Sequence, residues 1–270
     1  MAARWRAVTR PIYLYFRLLG QQMKAIMAYE ADFVIYAGSA VLVQLVGFIF
    51  IWTIFQRIPT INGWTMWEVV MMYALIFLTE GVGSLFFEGT WGLARLVYTG
   101  KFDSFLLRPV SPILQVVTAD VGLNGLGNIV TGFILIGLSV THVSLEWTPG
   151  RIAMLAIAIV SASAIRVAIN LGTAATVFWT RSPWSSVPMF VHQLGDFAKY
   201  PLTIYSLGVQ VIIVIAIPFA FVSFFPTAVV FGESPWSLPG LLTPLVAIYT
   251  VVLAVVIFRV GLRRYEGAGN

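Results

Sequence analysis

The chain has 270 residues, 59% of them hydrophobic and only 10% charged, with a net charge of +5 and no cysteine. A soluble domain carries about a quarter charged residues, so this composition excludes a water-solvated exterior and makes the bilayer the solvent. The basic excess is scattered over short loops, which reads as membrane topology and not as a nucleic-acid footprint, and disulfides, thiolate metal sites and cysteine nucleophiles are excluded.

The first element is amphipathic. Residues 10–27 place Ile12, Phe16, Leu19, Met23 and Met27 at helical spacing, with Arg10, Arg17, Gln21 and Lys24 elsewhere on the wheel and Pro11 in the first turn. This predicts a helix lying on a membrane surface within an N-terminal segment 1–30. No short apolar core with a cleavage site precedes Ala31, so a cleaved signal peptide is not expected. A spanning helix needs about 20 mainly apolar residues. Six segments reach that length: 32–55, 66–88, 113–141, 152–179, 203–224 and 240–260. They are too long for barrel strands, so the expected fold is an all-α integral membrane protein with six transmembrane helices. With the N-terminus in the cytoplasm, every Lys and Arg except Arg57, Arg151 and Arg166 lies inside or at the inner boundary. That asymmetry puts both termini in the cytoplasm.

The loops follow from the same topology. Segment 89–112 lies inside, between spans two and three. Residues 182–201 read as a second cytoplasmic loop with a short helix at 187–198. The outer stretch 225–239, "FPTAVVFGESPWSLP", is apolar yet too short and proline-rich to span, which predicts a re-entrant hairpin.

Three spans carry polar stripes at a spacing of four, one face of a helix. Span two has Glu80, Ser84 and Glu88; span three has Asp120, Asn124 and Asn128; span four has Arg166 and Asn170. At 1.5 Å per residue, Glu80 and Arg166 each lie roughly 20 Å from the outer start of their spans, and Asp120 about 10 Å above the inner start of its own. An unpaired charge at that depth is expensive, so Arg166 is expected to meet Glu80, Asp120 or both. The stripes fit a substrate path or gate latch, and equally an ion-paired network that holds the bundle together. The chain has no G-x-x-x-x-G-K-[ST] loop, no H-E-x-x-H and no G-x-S-x-G. His142 and His192 read as surface or packing residues, and no metal site is expected.

In "GLARLVYTGKFDSFLLRP", Leu93, Leu96, Val97, Phe102, Phe105 and Leu106 offer apolar anchors, and Arg95, Lys101, Asp103 and Arg108 a charged surface. Gly100 allows a break between two short helices, and Pro109 and Pro112 stop the segment before span three.

Taken together, "GKFDSFLLRPVSPILQV" (100–116), "FAKYPLTIY" (197–205) and "IPFAFVSFFPTAVVFGE" (217–233) resemble recurring motifs of the permease subunits of ABC type-2 exporters, in a compact six-helix bacterial subgroup. The resemblance covers essentially the whole chain. It implies a half-transporter in the bacterial cytoplasmic membrane, without an ATPase site of its own. It also implies a second permease chain, the same or related, and two copies of a separate ABC ATPase that holds ATP and Mg²⁺; this chain itself needs no cofactor. ATPase docking then falls on Arg95, Lys101, Phe102, Asp103, Phe105 and Arg108, with a second contact from 182–198. Phe225, Pro226, Phe231 and Glu233 fall in the hairpin that closes the outer gate. The implied cargo is hydrophobic or amphipathic, of a drug, lipid or peptide-like kind, and membrane lipid surrounds the chain. The competing function is an ion- or proton-coupled secondary carrier using Glu80, Asp120 and Arg166, to which six spans without an obvious internal repeat lend little support.

Overall fold

The computed structural model describes residues 13–24, 30–143, 145–180, 182 and 184–267. Of the expected surface helix, 13–24 is helical (α1), and Tyr15 donates to the Phe86 carbonyl at 2.7 Å. Arg10, Pro11, Ile12 and Met27 lie outside the described residues. The helices that follow are α2 (Glu30–Phe55), α3 (Met66–Phe87), α4 (Leu93–Tyr98), α5 (Asp103–Leu106), α6 (Pro112–Val117), α7 (Asn124–His142), α8 (Pro149–Ala174), α9 (Val177–Thr180), α10 (Ser186–Leu194), α11 (Leu207–Val211), α12 (Phe224–Phe231), α13 (Ser237–Gly240) and α14 (Thr243–Arg263). No strand occurs among the described residues, and the protein is an all-helical membrane protein.

The bundle is built around α3. Apart from a short polar row at Glu80 and Ser84 its sequence is apolar all round, and such a helix belongs in the interior. Its first turn is closed by Glu68, whose carboxylate accepts from the Thr65 N–H at 2.7 Å and the Thr65 hydroxyl at 2.8 Å. α2 has the opposite character: Val34, Ile35, Leu42, Val43, Val46 and Phe50 are exposed, as suits a helix whose outer side meets lipid. Small residues let the helices approach closely. A Cβ on Gly81 would fall 2.7 Å from the Gly125 carbonyl oxygen, and one on Gly125 would fall 2.7 Å from that of Gly81. α3 and α7 therefore touch backbone to backbone. α8 and α14 meet where Gly172 faces Ala254.

Two expected spans are built differently. The third is not continuous: α6 ends at Val117, the chain breaks, and α7 begins at Asn124. The break is held by the Gly122 N–H, which donates to the Ser84 carbonyl at 2.9 Å, and by Asp120, whose side chain accepts from the following N–H at 2.9 Å. A carboxylate that satisfies backbone donors favours a turn over a helix interior.

The fifth crossing is displaced. Residues 185–201, part of the stretch 182–201 expected as a cytoplasmic loop, run antiparallel beside α3. The Ser185 hydroxyl donates to the Trp91 carbonyl at 3.0 Å, beyond the inner end of α3. His192 then packs edge-on against Trp91 and faces Glu80, and the Lys199 ammonium lies 4.9 Å from the centre of the Phe77 ring. Finally the Asn62 side chain, in the turn that joins α2 to α3, donates to the Thr203 carbonyl at 2.9 Å. These contacts lay 186–204 beside α3 from its inner to its outer end, and the expected span 203–224 falls on the apolar stretch that follows. The apolar stretch 207–231 is instead a pair of arms, Leu207–Ala216 and Phe219–Phe231, bent by 72°. Its apex carries Phe219 under Arg166, and its far arm returns to the outer end of α3, where Phe224 packs on Trp64 with ring centres 5.1 Å apart. This is the outer re-entrant element before the last span, larger than the 225–239 hairpin expected.

Candidate functional site

Two regions gather the polar side chains: a cavity beside the middle of α3, and the loop on the inner side.

The cavity, of about 290 Å³, lies between α2, α3, α7 and the 192–199 stretch. α8 delivers Arg166, which is 3% exposed, and its Nη2 forms an ion pair with Glu80 of α3. The same amino group lies 3.1 Å from His192 Nδ1. A guanidinium carries no acceptor, so Nδ1 accepts and the ring is the neutral tautomer with its proton on Nε2. The guanidinium carbon lies over Phe219, 5.3 Å from the ring centre. Lys199 and Asp196 form a second ion pair at 2.8 Å, one turn apart and on the rim, where Asp196 is 63% exposed. Asn124 and Asn128 close the α7 side. Asn128 is fixed by Gln44 of α2, which donates to it at 2.8 Å, and the Tyr73 hydroxyl donates to the Gln44 carbonyl at 3.0 Å.

Of the residues picked from the sequence, Glu80, Asn124, Asn128 and Arg166 come together here. Asp120 does not: the break before α7 leaves it exposed near the inner end, beside Glu88 and away from Arg166. Ser84 and Glu88 lie below the cavity, where the Glu88 carboxyl packs against Gly122, and Asn170 is buried one turn below Arg166. Sequence reasoning missed His192, Asp196 and Lys199 because they had been assigned to a cytoplasmic loop. The available signal was "FVHQLGDFAKYP" itself, a stretch whose few charges alternate with apolar and aromatic residues as in a lined crossing. Gln44 was missed too, although it is the one amide in the span-one run.

On the inner side, α4 and α5 meet at Gly100, whose φ of +69° is the turn only glycine takes freely. Arg95, Lys101 and Arg108 are exposed and Phe105 is half-buried under Arg108. Phe102, expected on the docking surface, is fully buried. The turn at Gly100 drives its ring inward, against Phe178 at 5.5 Å and Tyr265 at 5.2 Å between ring centres. Asp103 accepts from the Tyr265 hydroxyl at 2.7 Å, so it ties the loop to the end of α14. The apolar groups this surface does present are Tyr98, Leu106 and Leu107, the last 87% exposed. On the outer side, Phe225, Pro226 and Phe231 are buried in α12. Glu233 follows α12 and is hydrogen-bonded to Glu68; burial first, and then that neighbouring carboxyl, raise its pKa above the ordinary carboxylate range.

No group of three or more metal-ligating side chains occurs among the described residues. Comparison with curated proteins and with solved structures finds no match. Residues 41–269, most of the chain and all of its spanning segments but the start of α2, match the family described as ABC-2 family transporter protein. The chain therefore belongs to the ABC-2 family of transporters, as a membrane-spanning permease subunit.

Proposed function

We propose that this permease works as one half of the membrane part of an ATP-driven exporter. It moves a hydrophobic or amphipathic molecule out of the cytoplasm or the inner leaflet by alternating access. A second permease chain, the same or related, completes the pathway, and two copies of a separate ATPase bind beneath and supply the work from ATP and Mg²⁺. The proposed setting is a bacterial cytoplasmic membrane.

The observation that carries this reading is the inner loop. A surface that receives force must be rigid behind and open in front. The back of the loop is Phe102, buried on Phe178 and Tyr265, with Asp103 held by Tyr265. Its front is Arg95, Lys101, Arg108 and the exposed leucines 106 and 107. Motion of the loop is thereby passed to α9 and to the end of α14. The second docking contact narrows to the neighbourhood of Trp184, because the chain beyond Ser185 climbs along α3.

The test is copurification. Lys101→Glu combined with Arg108→Glu should sharply reduce recovery of the partner ATPase while the permease still reaches the membrane at normal levels. Unchanged recovery removes the docking assignment. Transport in liposomes by this chain alone, without ATP, would favour the ion-coupled carrier instead.

A further inference from the structure

The cavity beside α3 has a charge pattern that selects a headgroup. Its ionisable side chains are two acids, Glu80 and Asp196, and two bases, Arg166 and Lys199, with His192 neutral because its Nδ1 accepts from Arg166. The lining is thus neutral overall, and a ligand of net charge would leave one charge unbalanced at a depth where water is scarce. The two ion pairs differ. Glu80–Arg166 is enclosed and held by His192 and Phe219. Lys199–Asp196 sits at the rim with Asp196 63% exposed. The rim pair is the less enclosed of the two, so it is the one that a ligand carrying both charges can replace. Lys199 also lies over the Phe77 ring, 4.9 Å from its centre. That ring face already receives an ammonium, and it is free for another when Lys199 turns away. The α2 side of the cavity, by contrast, carries no charge and offers Ala40 and Val43 beside Ser39.

Resting on the export reading above, we propose that this cavity takes the headgroup of a zwitterionic amphiphile. The rim pair opens: Lys199 meets the anionic group of the ligand, while Asp196 and the Phe77 ring take its ammonium. The apolar chain leaves along α2. The exchange preserves neutrality, since one internal ion pair is replaced by two pairs with the ligand.

The experiment uses the permease with its ATPase, reconstituted in nanodiscs, and reads stimulation of ATP hydrolysis by single-chain probes below their micelle concentrations. Dodecylphosphocholine and dodecyl sulfobetaine are compared with dodecyltrimethylammonium, dodecyl sulfonate and dodecyl maltoside. The zwitterions should act at a half-maximal concentration roughly tenfold lower than either ionic probe. Asp196→Asn, which leaves the lining one charge positive, should shift the preference toward the sulfonate. Lys199→Gln, one charge negative, should shift it toward the trimethylammonium probe. A merely structural role for the two residues would not move selectivity in opposite directions. Equal potency of all headgroups, no stimulation by any probe, or a preference that neither variant changes overturns the proposal. In those cases the export reading still stands if the ATPase copurifies and hydrolyses ATP. Failure of the ATPase to bind would instead refute that reading.

Discussion

Arg166 uses one amino group on Glu80 and His192 and lies over Phe219, which leaves Nε and Nη1 buried without a hydrogen-bond partner. A buried guanidinium in that position is sustained mainly by its single carboxylate. Removing one partner of a buried pair is far worse than removing both. Glu80→Gln should therefore destabilise the protein by roughly 3–5 kcal/mol, and Glu80→Gln with Arg166→Met should recover most of the loss. Asp120→Asn, at an exposed turn, should change stability by less than about 0.5 kcal/mol. Unfolding midpoints measured in one lipid environment compare all three; equal losses for the single and double variants would show that the pair is not the support. The Glu80–Arg166 contact was legible from depth alone, because both spans are regular helices and counting residues gives height. The same arithmetic failed for Asp120, because it assumed a helix through a stretch that Asp120 itself helps to break.

At the scale of the element, the course of 186–204 beside α3 is the largest departure from the sequence reading. Hydropathy windows reward apolar runs, and 207–231 is the more apolar of the two neighbours. A window cannot know that a polar segment is lined by Glu80, Arg166 and the Asn128 side of α7, or that an apolar one turns back at its middle. Helix-or-not was legible for α2, α3, α7, α8 and α14, since each is long and apolar. Which weaker segment crosses is a property of partners. The absence of cysteine makes the crossing directly testable. Single cysteines at Ser206 and Asn62 should react with a membrane-impermeant maleimide added from one side, and a cysteine at Ser104 only from the other. A Ser206→Cys chain labelled together with Ser104→Cys would restore 182–201 to the cytoplasm.

For the whole molecule, α3 is tied at both ends to the elements outside the bundle core. At its inner end the chain passes into the loop that Tyr265 clamps, and at its outer end Glu68 shares a hydrogen bond with Glu233 at the close of the re-entrant arms. Two carboxyl groups share such a bond only when one keeps its proton. Glu233 has its pKa raised in the folded protein, so the folded state holds that proton above the ordinary value of about 4.5. The contact is complete below that pH and is lost as pH rises through the raised value, when the Glu233 carboxyl gives up its proton. The thermal midpoint of the wild-type protein should accordingly fall over that window relative to Glu233→Gln, which keeps a donor at all pH values. Parallel pH curves for the two proteins would dismiss the shared proton.

The polar crossing also dictates an order of synthesis. Asp196 and Lys199 each add about 2.5–3.5 kcal/mol to the insertion of an isolated helix when placed near its centre. Segment 186–204 therefore depends on protein partners and not on lipid for its polar groups. Its supports are already in place on one side, since α3, α7 and α8 are made first, but Phe219, which lies beside Gly195 and Arg166, and Ser223, which donates to the Ala198 carbonyl, come later in the chain. The surroundings of 186–204 are therefore complete only once the apolar arms 207–231 have been made.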